Sequence, residues 1–132
     1  MVLQYMTKEQ KNYKGLILAD LKIAQSYYDS EDKAMRLQAA YHMQQAVETT
    51  IKLKAEIKGL NLWGHDIGAL IKECDDNKID ISIPKEIRLK SRMITGWEAD
   101  CRYYPVKVVR KDSIKSVYDV EVEWLNDGDT KK

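Results

Sequence analysis

The chain has 132 residues, enough for one domain around one hydrophobic core. Its composition, 44% hydrophobic and 33% charged, is that of ordinary folded proteins and excludes a disordered chain. Apolar runs are only a few residues long, and charged Lys8, Glu9 and Lys11 occupy the N-terminal stretch, so neither a membrane span nor a signal peptide is expected. We therefore expect a cytoplasmic protein.

The first predicted helix covers about residues 8–29. Its apolar stripe has the three- and four-residue spacing of a helix packed on a core, and consists of Tyr13, Ile17, Leu21, Ala24 and Tyr28. Ser30 follows it and is the expected N-cap of the next helix.

The second predicted helix, about residues 31–58, contains no Pro or Gly and is rich in good helix formers. Its core-facing stripe is Ala39, Met43, Ala46, Val47, Thr50, Leu53 and Ile57. The small residues Ala39, Ala40 and Ala46 favour the close approach of a neighbouring helix, and Gly59 is the expected C-terminal cap.

A loop over residues 60–65 carries Trp63 and leads into a short third helix, about 66–74. Isoleucines then alternate with polar residues over 78–83, a pattern that taken alone indicates a strand. Because one short strand has no obvious partner in this sequence, we interpret 78–83 as an extended segment that buries its isoleucines.

A fourth helix is predicted from Pro84 to about Arg102, with an apolar face of Ile87, Ile94, Trp97 and Cys101. Gly96 lies within this helix and is expected to mark close packing, because glycine costs a helix about 1 kcal/mol relative to alanine.

The last element, about residues 113–126, places Ile114, Val117, Val120 or Glu121, Trp124 and Leu125 on one helical face. Residues 120–124 also alternate as in a strand, but Asp112 or Ser113 offers a helix cap, which favours a helix.

The expected fold is therefore all-α: an antiparallel, up-and-down bundle of four to five helices. It forms a single domain over residues 1–126, followed by a flexible polar tail over 127–132.

The net charge of +1 is unevenly distributed. Residues 85–115 carry nine basic and four acidic side chains, whereas residues 116–130 carry five acids and no base. Such a basic block either attracts a polyanion or forms a solvated helix surface, and the second is commoner.

Cys74 and Cys101 lack metal-ligand spacing and are expected to be reduced thiols, so no metal site is predicted.

A polar stripe runs along the second helix, because Tyr41, Gln45, Glu48 and Lys52 recur at steps of four, three and four. Arg102 is the expected partner of Glu48, and His65 lies where the third helix begins. These side chains either fix the register of the helices or form a shallow polar cleft that receives a phosphate or a base. Tyr103, beside Arg102, is included in the candidate cleft.

Several segments resemble the HEPN family (higher eukaryote and prokaryote nucleotide-binding domain). The segment 19–24 is similar to the family's first-helix signature, and 40–48 with Lys52 to its central helix. The segment 65–67 with Leu70 is similar to the third helix, which begins with His, and 102–105 to the Arg-Tyr-Pro ending of the fourth. The four segments occur in the family's order.

The resemblance implies either of two activities. Many HEPN proteins are metal-independent ribonucleases that use an Arg followed closely by a His late in the domain. This chain departs from that pattern, since its two histidines, His42 and His65, both precede Arg102. Arg36 and His42 form an Arg-x5-His pair, but on a helix they point about 120° apart. A ribonuclease site would therefore have to be formed across a dimer.

The leading hypothesis follows the family's non-nucleolytic branch. It describes a homodimeric helical binding module that pairs with a minimal nucleotidyltransferase, binds a nucleotide in its polar cleft, or does both, in a toxin–antitoxin-like context. No catalytic residue or cofactor is assigned. Whether the chain is an enzyme is left open, although the missing late Arg-His pattern argues against it. The alternatives are a ribonuclease toxin acting on RNA and a helical scaffold without a ligand.

Overall fold

The computed structural model describes residues 6–101 and 108–130. This part of the chain forms six α-helices: α1 (Lys8–Tyr27), α2 (Lys33–Ile57), α3 (Ile67–Asp76), α4 (Lys85–Leu89), α5 (Ser91–Asp100) and α6 (Lys111–Leu125). A single 3₁₀ turn, Gly128–Thr130, follows them. The described residues include no strand, which confirms the all-α fold class.

The helix starts are set by local capping. Thr7 caps α1 in a reciprocal box with Gln10, in which each side chain bonds the other residue's backbone N–H. Asp32, rather than the predicted Ser30, caps α2; the Ser30 hydroxyl instead accepts a bond from the Asp32 N–H. Helix α6 starts two residues earlier than predicted, with Arg110 at the N-cap position and no side-chain cap from Asp112 or Ser113.

Helix α2 lies at the centre of the bundle and packs against α1, α3, α5 and α6. Its three small residues, Ala39, Ala40 and Ala46, are fully buried, and its most extensive contact is with α1. The predicted stripe of α1 is correct for its central residues but wrong for Tyr13, which is 41% exposed. Tyr13 lies near the start of α1, where a cleft rather than the core faces it.

The predicted fourth helix is divided into α4 and α5 at Lys90, whose backbone has φ −102° and ψ 12°. The Lys90 ammonium donates to Glu86 Oε1 and to Ser116 Oγ of α6, both at 2.9 Å. Neither Pro nor Gly marks this break. It coincides with a contact to a helix that is distant in sequence, which explains why helical periodicity did not reveal it.

The segment between α3 and α4 forms neither a helix nor a strand, in agreement with the prediction that it does not pair as a strand. Ile81 is buried and its carbonyl accepts a 2.9 Å bond from the Trp124 indole of α6, while Ile79 and Ile83 are partly buried. Lys78 and Ser82 have positive φ angles of 58° and 56°, which turn the chain out of a regular strand.

A buried polar cluster joins α2 to the C-terminal region. Glu121 is fully buried, and of the two residues considered for this face it is the one turned inward. Its Oε2 accepts a 2.8 Å bond from Thr50, but Oε1 has no partner among the described residues.

The Lys54 ammonium of α2 donates to the Asp127 carbonyl and to Thr130 Oγ1, and lies 5.5 Å from the Trp124 ring centroid. Thr130, within the predicted tail, is thus buried on the domain.

None of the helices in the described ranges combines the length and apolar character needed to cross a membrane.

We predict that replacing Gly15 or Gly96 with Ala stabilises the protein by about 1 kcal/mol each, because both lie inside helices and alanine restricts the unfolded chain. An added Cβ meets no atom within 4 Å at either position, which corrects the expectation that Gly96 marks close packing. Urea denaturation measures the change. Gly64→Ala is the contrasting variant: its φ of +102° predicts a loss of stability.

We predict that stability falls as the pH rises through the neutral range because of Glu121. Burial raises the pKa of this carboxyl from 4.5 to about 8. Between these pH values the folded chain holds a proton that the unfolded chain has released, so the free energy of unfolding declines from pH 4.5 to about 8 and then levels off.

Glu121→Gln keeps the side chain neutral and is expected to flatten this decline, raising the urea midpoint at about pH 8 relative to the parent. Glu123→Gln, an exposed change on the same helix, is the control and should leave the pH profile as it is. An identical pH profile for Glu121→Gln and the parent would contradict the prediction.

Candidate functional site

A hydrogen-bonded network on α2 centres on the Glu48 carboxylate, which is only 5% exposed. Gln44 lies one turn before it, is fully buried, and donates from Nε2 to Glu48 Oε1 at 2.8 Å. Gln45 in turn donates to Gln44 Oε1 at 2.7 Å. The amide dipoles therefore satisfy one oxygen of a carboxylate that has been removed from water.

The other oxygen of Glu48, Oε2, is contacted by the side chains of Lys52 and His65. Lys52, one turn after Glu48, places its ammonium 3.0 Å from Oε2. His65 reaches the same oxygen with Nδ1, also at 3.0 Å, from the loop between α2 and α3. The His65 side chain is 73% exposed, so the network runs from the bundle interior to the surface.

The structure thus brings together four of the predicted cleft residues: Gln45, Glu48 and Lys52 from the polar stripe, and His65. Tyr41 lies about two turns before Glu48, and its ring packs edge-on against His42 with centroids 5.3 Å apart. Arg102 and Tyr103, and with them the expected Arg102–Glu48 contact, lie outside the described residues.

A cleft of about 500 Å³ opens beside this network. Its lining comes from α1, from the second half of α2 and from the loop that follows, and comprises Tyr13, Glu48, Thr49, Lys52, Leu53, Glu56, Asn61, Leu62 and Trp63. Trp63 is 83% exposed, whereas its neighbour Leu62 is buried and ties the loop to the core. Sequence reasoning missed Tyr13, Glu56 and Trp63 as site residues; the only signal was a Trp in a short loop before Gly64.

The residues of the Arg-x5-His pair make separate contacts. Arg36 donates from Nη1 to the Ser30 carbonyl at 2.7 Å and from Nε to the Val109 carbonyl at 3.0 Å, which ties the chain before α6 to the start of α2. His42 Nδ1 lies 2.8 Å from Asp20 Oδ1 of α1. Each side chain is therefore engaged in holding two parts of the bundle together.

The described cations of the basic block are largely paired. Four of the seven form ion pairs of 2.6–2.9 Å with a carboxylate: Arg88 with Asp75, Lys90 with Glu86, Lys111 with Glu31, and Lys115 with Asp119. A fifth, Arg110, lies 3.8 Å from Asp112. Because these carboxylates offset the positive charge, the pairing favours a solvated helix surface rather than a site that binds a polyanion.

Both cysteines are free thiols, and burial raises the pKa of each. Cys101 Sγ donates to the Leu37 carbonyl at 3.1 Å. Over residues 6–101 and 108–130, no group of three or more His, Cys, Asp or Glu side chains is arranged to hold a metal ion.

We predict that Glu48→Ala lowers the free energy of unfolding by about 1–3 kcal/mol, because it leaves the buried Gln44 amide without its acceptor. Urea denaturation with circular dichroism provides the measurement. Lys72→Ala removes an exposed ion pair to Asp76 and should change stability by less than about 1 kcal/mol. Equal losses in the two variants would show that the network contributes no more than a surface pair.

Comparisons with known proteins agree with this architecture. The model of the HEPN domain family matches residues 18–123. No curated protein matches the chain significantly. Among solved structures, the crystal structure of TT1696 from Thermus thermophilus is similar, with a TM-score of 0.67 and 18% sequence identity over 90% of this chain and 94% of that one. An identity this low supports a shared fold alone. Because the family model spans most of the chain, the protein belongs to the HEPN domain family.

Proposed function

We propose that this HEPN domain is a cytoplasmic helical binding module that acts as a homodimer and pairs with another protein. The leading candidate partner is a minimal nucleotidyltransferase, in a toxin–antitoxin-like context. The observation that carries the proposal is an open cleft with an exposed aromatic residue, Trp63, beside a rigid hydrogen-bonded network. The partner's identity rests on the resemblance to the non-nucleolytic branch of the family.

The exposed aromatic residues support a protein-binding role. Trp and Tyr are enriched at protein interfaces because they bury a large area and lose little conformational entropy when they do so. Trp63 and Tyr13 both retain large exposed fractions in the single chain, and they line the same cleft. The Glu48 network holds the adjoining loop in place through His65, so the surface is largely formed before binding.

A nucleotide in the polar cleft is a second candidate, favoured by Lys52 in its lining, by His65 on the adjoining network, and by the exposed Trp63 ring, on which a base can stack. Arg102 and Tyr103 belong to this candidate site as proposed ligands. The support is weaker than for a protein partner, because Glu48 already neutralises the Lys52 ammonium and a phosphate would have to compete with it.

The ribonuclease alternative has less support in this chain. Arg36 and His42 are the residues that a site formed across a dimer would use, and each is occupied by contacts within its own chain. Both would have to exchange those contacts for a phosphate.

We expect a minimal nucleotidyltransferase to co-purify with the protein from its native host, because the module is proposed to act in a pair. Affinity purification followed by mass spectrometry tests this expectation. Recovery of the protein with RNA or with no partner would contradict the proposed pairing.

We expect sedimentation velocity to show a dimer at high micromolar concentration, since the exposed aromatic residues of α1, Tyr13 and Tyr27, favour association. A monomer over the whole concentration range would contradict the dimer without affecting the pairing.

For the second candidate, we expect millimolar ATP to shift the backbone NMR signals of Lys52 and His65, whereas Lys115, on the ion-paired surface of α6, should be unaffected. Unchanged spectra would exclude nucleotide binding in this cleft.

A further inference from the structure

The lining of the cleft combines two exposed aromatic residues with an exposed carboxylate. Tyr13 comes from α1, Glu56 from the last turn of α2, and Trp63 from the loop that follows α2. We propose that the part of the cleft lining formed by Tyr13, Glu56 and Trp63 accepts an arginine side chain of the protein partner. The inference rests on the proposed function as a protein-binding module and names the chemistry of the contact.

The charges of the lining favour a cation. Three charged side chains line the cleft: Glu48, Lys52 and Glu56. Lys52 is paired with Glu48 at 3.0 Å, so these two charges offset each other. The Glu56 carboxylate has neither an ion pair nor a hydrogen bond among the described residues. The lining therefore carries a net negative charge, which attracts a cationic group and disfavours an unneutralised phosphate.

The aromatic rings add a second attraction for the same ligand. A cation over the face of Trp or Tyr is attracted by the ring's negative face when it lies within about 6 Å of the ring centroid. The protein already contains such a contact, since the Lys54 ammonium lies 5.5 Å from the centroid of the buried Trp124 ring. Trp63, in contrast, leaves most of its ring exposed to solvent.

The combination of residues favours arginine over lysine. A guanidinium stacks flat on an aromatic ring while it donates two parallel hydrogen bonds to a carboxylate, whereas an ammonium behaves as a compact, strongly hydrated point charge. The volume of about 500 Å³ accommodates an extended side chain that enters from a segment passing over the surface.

Trp63 provides the signal for a direct test. The other two tryptophans, Trp97 and Trp124, are only 2% and 3% exposed, so quenching of the intrinsic fluorescence by acrylamide reports mainly on Trp63. The ligands are acetylated and amidated Gly-Arg-Gly, the same peptide with lysine, and the same peptide with citrulline, which keeps the shape of arginine without its charge. We expect saturable protection of Trp63 by the arginine peptide, weaker protection by the lysine peptide and none by the citrulline peptide.

Variants locate the contact. Glu56→Gln is expected to weaken binding of the arginine peptide at least fivefold, and Tyr13→Leu to weaken it as well, while Glu123→Gln on α6 leaves it unchanged. All three positions are exposed, and circular dichroism verifies that each variant is folded. Equal protection by the arginine and citrulline peptides, or unchanged binding in Glu56→Gln, would overturn the proposal. Protection by ATP but not by the arginine peptide would overturn it in favour of a nucleotide.

Co-purification separates this inference from the proposed function. If a nucleotidyltransferase co-purifies with the parent, the double variant Glu56→Gln, Trp63→Leu is expected to lose most of it. Full retention by the double variant would disprove the arginine contact and leave the pairing intact. Conversion of a dimer to a monomer in the double variant would assign the arginine donor to a second copy of the chain, which would also overturn the proposal as stated.

Discussion

The packing of α2 on four neighbouring helices is the constraint on which the rest of the structure depends. A helix so enclosed must pair the polar groups that it buries, because an unpaired buried donor or acceptor costs about 1–3 kcal/mol. Gln44 and Glu48 meet this requirement on one side, with Lys52 and His65; Thr50 meets it on the other, with Glu121. These bonds also determine where the following loop and α6 lie, so the polar groups of α2 position the elements around it.

This arrangement explains the character of the candidate site. Glu48 is needed as a buried acceptor, and by pairing with the Lys52 ammonium it offsets positive charge that a phosphate site would require. The charge that remains in the cleft lining is that of Glu56, beside exposed aromatic rings. Binding specificity is therefore expected to reside in the surface residues at the end of α2 and in the loop after it, whereas the network beneath them supplies rigidity.

Family membership and function are separate conclusions for this protein. The HEPN family model and the similarity to TT1696 concern the helical scaffold, and a helical bundle can carry many activities. Within this scaffold, Arg36 and His42 make contacts that join parts of the bundle, and several described cations of the basic block are ion-paired. The binding-module proposal therefore depends on the cleft itself and on the chemistry of its lining.

The sequence alone determined the helical class, the bounds of α1, α2 and α3 to within two residues, and the spacing that aligns Gln45, Glu48 and Lys52. These features follow from periodicity and capping, which act over a few residues. Only the tertiary structure decided the break at Lys90, the burial of Glu121 and the placement of Tyr13 and Trp63 around one cleft. Each of these depends on the packing of segments that are distant along the chain. The spacing of residues in the sequence does not determine which distant side chains come together.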